Sequence, residues 1–172
     1  MISSAPFMSP PQPVIDGFEF AQAGANLRGA WPIRDFLRIR DMLAAHEGEV
    51  AYELDGVRDG QGRPALRLRV SGRLELRCQR CLEGLRYEVR ADELLVLAGT
   101  QAEIDAEAAG AYSADRVVAG REMPVRDLVE DELILALPYA PRHEVCSARA
   151  AHDGVQEVGP FAGLRGLIRG KH

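Results

Sequence analysis

Cys78-Gln79-Arg80-Cys81 and His143-Glu144-Val145-Cys146 hold all three cysteines and one of the four histidines of this 172-residue chain. Thiolate and imidazole are the donors zinc prefers, and two short pairs from distant segments commonly complete its tetrahedron. Cys78, Cys81, His143 and Cys146 are therefore a candidate zinc set that leaves no thiol over. Two other readings stand beside it. Cys78 continues the apolar alternation of the residues before it, and a free cysteine packs as a small hydrophobe. The plain structural corner is the simplest account, with the metal next to it. A redox pair ranks last. It needs the pair to open a helix, whose dipole lowers a thiol pKa, whereas here the pair stands between two strands, near Arg77 and Arg80.

A second group is basic. Arg67, Arg69, Arg73 and Arg77 share one side of an alternating run, and Arg80, Arg86 and Arg90 follow. Arginine forks match phosphate oxygens, so Arg67, Arg69, Arg73, Arg77 and Arg80 are candidates for holding nucleic acid or a partner. A solvated strand face balanced by acids elsewhere is the simpler reading. No aromatic residue interleaves with these arginines, so a stacking platform for single strands is not expected.

The third group is acidic. Glu130, Asp131 and Glu132 are consecutive, and consecutive helical positions point in different directions. They are expected to face solvent, apart from Glu132 beside the apolar stripe. With no glycine-rich phosphate loop, nucleophile elbow or HExxH motif, the residues do not predict an enzyme or a small-molecule substrate.

These groups need elements to position them. From Leu66 to Cys78 the even positions are apolar or small and the odd positions are polar. A strict period of two predicts one long strand, bent at Gly72 because the phase survives Ser71-Gly72. After QRCLEG the alternation resumes with Leu85, Tyr87, Val89 and Ala91 inward, so CQRC is the corner of a hairpin. Val50, Tyr52 and Leu54 predict an earlier strand that turns at the glycine-rich DGQG. A helix is expected from Pro32 to Glu47, with Ile33, Phe36, Leu37 and Leu43 inward, and a second from Pro124 to Leu137. Residues 92–110 carry five acids and no basic residue, and after LLVLAG they read as a solvated acidic loop. The sum is an α+β fold, a β-rich antiparallel sheet, strongly bent or partly barrel-like, covered by the two helices.

Length and composition fit one core. The expected divisions are a mobile segment at 1–13, a single domain at 14–146, a linker at 147–159, and a tail at 160–172 that docks as a short helix. The formal net charge is −5, so the total gives no sign of a nucleic-acid binder. No secretory signal is visible and the apolar runs are short for a membrane span. A cytoplasmic protein with reduced thiols is expected.

The segments IDGFEFAQAGANLRGAWPIRDFLRI, LRLRVSGRLELRCQRCLEGLRYEV, VEDELILALPYAPRHEVC and PFAGLRGL follow in this order. Together they resemble the YceD family of large ribosomal RNA subunit accumulation proteins. The most specific pieces are CQRCLE at 78–83, VEDELILALP at 129–138 and PFxxL at 160–164. The resemblance implies a non-enzymatic role in synthesis, processing or stability of 23S rRNA, and hence in large-subunit assembly. It supplies no catalytic residue, and its signature positions fall on Cys78, Cys81, Pro138, His143 and Cys146. The implied partner is the ribosomal large-subunit precursor, met through a protein or through rRNA. For an acidic chain the protein route is favoured, since phosphate neutralisation dominates RNA affinity.

Overall fold

The computed structural model describes residues 12–106 and 115–146. The expectations for residues 1–11, for the linker at 147–159 and for the tail at 160–172 fall outside the described residues.

The described chain opens with strand β1 (Val14–Ile15), helix α1 (Gly17–Ala23) and strand β2 (Asn26–Pro32). Two short 3-10 turns, Ile33–Asp35 and Arg40–Met42, lead to β3 (Leu43–Ala45). Then come β4 (Glu49–Arg58), β5 (Pro64–Arg77) and β6 (Gly84–Ala98). Helix α2 (Gln101–Ala106), β7 (Arg116–Val118), β8 (Met123–Pro124) and helix α3 (Val125–Ala136) complete the order. The main sheet runs β2-β4-β5-β6-β7, with β3 beside β5. All pairings are antiparallel except β6 with β7. The sheet has β2 and β7 as its outer strands and does not close into a barrel.

The long strand is where its alternation placed it. Leu66, Leu68, Val70, Leu74 and Leu76 are buried, and the polar residues between them lie on the other face. One edge of β5 serves two partners in succession. β4 pairs with it from Pro64 to Gly72, and β3 takes over at Glu75 and Leu76. Glycine suits the changeover, because a Cβ at Gly72 would lie 3.2 Å from the Glu49 carbonyl oxygen. The helix at the other end is also as expected, and Val125, Val129 and Leu133 fill the core.

The helix expected at Pro32–Glu47 does not form. Ile33, Phe36, Ile39 and Leu43 are all buried, and their spacing of three, three and four is met by tight turns that end in a strand. Phe36 is extended, at φ −91° and ψ 95°. The Arg38 amide donates to Glu130 Oε1 at 2.7 Å instead of to a carbonyl one turn back. Leu37, expected inside, is 63% exposed. A tertiary carboxylate and four burial sites outweigh helix propensity here.

The acidic loop expected after LLVLAG is corrected for its described part, because Gln101–Ala106 is helical. β6 runs to Ala98, and its Leu95, Val96 and Leu97 are core residues. Helix α1 was not foreseen, although its signals are plain. Asp16 accepts from the Glu19 amide at 3.0 Å as the N-cap, and Gly24 closes the helix at φ 59°.

Candidate metal centre

The corner between β5 and β6 is built by backbone bonds. The Cys78 amide donates to the Glu83 carbonyl at 2.9 Å, and the Leu82 amide donates to the Cys78 carbonyl at 2.9 Å. Leu82 takes φ 64°, a left-handed conformation that L side chains rarely adopt. The tight turn aims the backbone amides of Arg80 and Cys81 at the Cys78 sulfur, with the His143 amide beside them.

The second segment reaches this corner from α3. Pro138 follows the helix, where a proline cannot continue it. Three residues on, the Pro141 carbonyl accepts from the Gln79 amide at 2.8 Å. That bond pins 139–146 against the hairpin and delivers His143 and Cys146. Cys78 Sγ and Cys146 Sγ then lie 3.8 Å apart. Cys81 Sγ lies 3.3 Å from His143 Nδ1. One donor atom from each of Cys78, Cys81, His143 and Cys146 falls within 4.8 Å of all the others. All three cysteines are free thiols.

These distances fit a tetrahedral ion. With metal–sulfur bonds of about 2.3 Å, sulfurs on a tetrahedron stand about 3.8 Å apart, and a sulfur and an imidazole nitrogen about 3.6 Å. The remaining imidazole nitrogen, Nε2, sits 3.1 Å from the Gly84 carbonyl. In the tautomer that donates Nε2–H to this carbonyl, Nδ1 offers its lone pair toward the sulfurs. Metal-binding histidines are commonly oriented in this way.

The electrostatics also favour a thiolate. Amide donation from Cys81, then from Arg80 and His143, holds the Cys78 thiol down to about 5 against the cost of burial. Burial, together with the neighbouring Cys78 and Cys81 sulfurs, pushes the Cys146 thiol up. Sulfurs this close cannot all ionise cheaply on their own, and the arrangement is compatible with a cation between them.

The arginine strip is divided by the strand register. Arg67 forms a two-pronged pair with Asp92 at 2.7 and 2.9 Å. Arg69 meets Glu53 at 2.6 Å and Asp55 at 3.2 Å. Arg90 meets Glu88 at 2.8 Å. Arg73, Arg77 and Arg80 are exposed, with no ion pair among the described residues. Sequence reasoning left out Arg142, and gave Arg86 no separate place, yet both stand exposed at the same end. It also put Glu130 in solvent. Glu130 is buried and holds Arg38 through the amide and, at 3.1 Å, through Nε.

Residues 66–167, more than half of the chain, match the family model described as large ribosomal RNA subunit accumulation protein YceD. The chain belongs to this family. The YceD match spans both halves of the cysteine–histidine set, from the hairpin to Cys146. The family's name gives YceD proteins a role in accumulation of the large ribosomal RNA subunit. No solved structure matches the chain. Among the described residues, no helix is long and apolar enough to cross a membrane.

Proposed function

We propose that this chain is a non-enzymatic factor of large-subunit ribosome biogenesis, supporting synthesis, processing or stability of 23S rRNA in the cytoplasm. Its Cys78, Cys81, His143 and Cys146 hold a structural zinc ion. The observation that carries the reading is the family match across 66–167, which includes all four donors. The ion would join the β5–β6 hairpin to the segment after α3, two parts of the chain separated by 62 to 68 residues. A closed four-ligand set leaves no open position for a substrate, as suits a structural site. Cross-linking so long a loop restricts the unfolded chain and stiffens this end of the sheet.

The test is the ratio of 23S to 16S rRNA in cells lacking the chain. The reading expects a selective fall in 23S, restored when the chain is supplied again. An unchanged ratio with normal large subunits overturns it.

A redox role is supported less well. A buried Cys78, enclosed by donors from both segments, is poorly placed for attack by a second thiol. The reading expects the four-donor set to protect these thiols from alkylation as long as metal is bound.

A further inference from the structure

The arginines of the outer sheet face and of the hairpin corner differ in their partners, with Arg73, opposite Glu88 and without an ion pair among the described residues, lying between the two groups. Around the middle of the sheet, Arg67, Arg69 and Arg90 each have a carboxylate within 3 Å. At the hairpin end, Arg77, Arg80, Arg86 and Arg142 are exposed, and none of them has a carboxylate partner among the described residues. Backbone contacts bring these four together. Arg77 and Arg80 flank Cys78 and Gln79, and Arg86 lies two residues past Gly84. Arg142 follows Pro141, whose carbonyl holds the Gln79 amide at 2.8 Å. Glu75, Glu83 and Glu144 lie at this end, and Glu47 and Glu88 line the groove beside Arg86; among the described residues Glu88 pairs with Arg90 and the others form no ion pair. Tyr139, two residues before Pro141, is 101% exposed.

We propose that this end, the guanidiniums of Arg77, Arg80, Arg86 and Arg142 with the Tyr139 ring, is an RNA-binding site that takes the phosphodiester backbone. The inference rests on the large-subunit RNA reading above and names the surface that meets the RNA. A guanidinium already paired with a carboxylate must give up that bond before it can hold a phosphate, so Arg67, Arg69 and Arg90 gain little from the exchange. An unpaired, hydrated guanidinium gains the phosphate contact and releases counterions. An exposed aromatic ring in the same segment as Arg142 gives an unpaired base a face to stack on, without sequence preference. The acidic total does not forbid this. Screening confines the field to about 8 Å at physiological salt, so the local population of unpaired arginines decides, not the chain's net charge. The protein route favoured from composition alone gives way at this surface.

The test is fluorescence anisotropy of a labelled 23S rRNA transcript titrated with the full chain. Three or four phosphate contacts predict a log–log salt slope of about −2 to −3 on single-stranded regions. Arg77→Glu with Arg80→Glu is expected to weaken binding by about tenfold or more, and Arg67→Glu with Arg69→Glu by about twofold or less. Tyr139→Ala is expected to weaken it about fivefold with the salt slope unchanged. Fluorescence of the buried Trp31 checks that each variant is folded. Equal losses from the two arginine pairs, or a loss confined to Arg67 and Arg69, would overturn the assignment. Absence of RNA binding by the wild-type chain, in cells where its removal still lowers 23S, would also overturn it and point to a protein partner with the family role intact. If the 23S level is unchanged as well, both readings fail.

Discussion

His143 stands between Cys81 and Gly84, with Nδ1 3.3 Å from the Cys81 sulfur and Nε2 3.1 Å from the Gly84 carbonyl. One ring thus ties the donor set to the first residue of β6. His143→Ala removes a donor and the bond that orients it. Zinc retention against a chelator is expected to fall by about 100-fold, the upper end of what even outer-sphere changes cost. Unchanged retention would show that the histidine is no ligand.

Glu130 is a buried carboxylate whose partner is largely Arg38. It accepts the Arg38 amide at 2.7 Å and Nε at 3.1 Å, while Asp131 takes the outer nitrogen at 2.6 Å. Glu130→Ala leaves the part-buried Arg38 amide without its acceptor and opens a cavity where the buried carboxylate stood, and is expected to cost about 2–3 kcal/mol. Arg38 is about half exposed, so water replaces part of what Asp131→Ala removes, and that change is expected to cost under about 1 kcal/mol. Urea unfolding followed by Trp31 fluorescence measures both. Equal costs would contradict the burial argument.

Gly56 fixes how closely α1 approaches the sheet. Its amide donates to the Ala25 carbonyl at 2.8 Å, and a Cβ there would drive into the Phe20 carbonyl and come within 2.9 Å of Ala21 Cα. Backbone cannot step aside as a side chain can. Gly56→Ala is expected to cost about 3 kcal/mol, while Gly60→Ala, with nothing within 4 Å, is expected to change stability by about 0.5 kcal/mol or less. Denaturant midpoints compare the two directly, and matching effects would refute the close approach.

Much of the fold is legible in the sequence, for a physical reason. β5 has one buried face, and a slip of one residue would reverse every side chain, so its alternation is strict. The spacing of Ile33, Phe36, Ile39 and Leu43 carries less information, because an α-helix and a chain of tight turns can both bury it. The ion pairs depend on register. Arg69 lies opposite Glu53 on one side and Asp92 on the other only once β4, β5 and β6 are aligned. The two donor pairs could be proposed from spacing, but the bond from Gln79 to Pro141 that brings them together joins residues with no local signature.

Glu132 is 6% exposed, and burial, followed by Glu93, Asp115 and Asp131, pushes its carboxyl above the usual range. The folded state therefore binds this proton more tightly than the unfolded chain does. Its contribution is fully present below the unfolded pKa and is lost as pH rises through the raised folded value. Glu132→Gln is expected to raise Tm at neutral pH and to leave it nearly unchanged at pH 4. Thermal melts across that window check the sign, and a lower Tm at pH 7 would contradict it.

The measurement that bears most directly on the account is the metal content of the purified full chain, by elemental analysis, beside its stability with and without a strong chelator. The account predicts about one zinc per chain and a clear fall in Tm when the metal is withdrawn. A metal-free chain, fully folded, with its thiols open to alkylation, would contradict it and leave Cys78, Cys81, His143 and Cys146 as the packing of a hairpin corner.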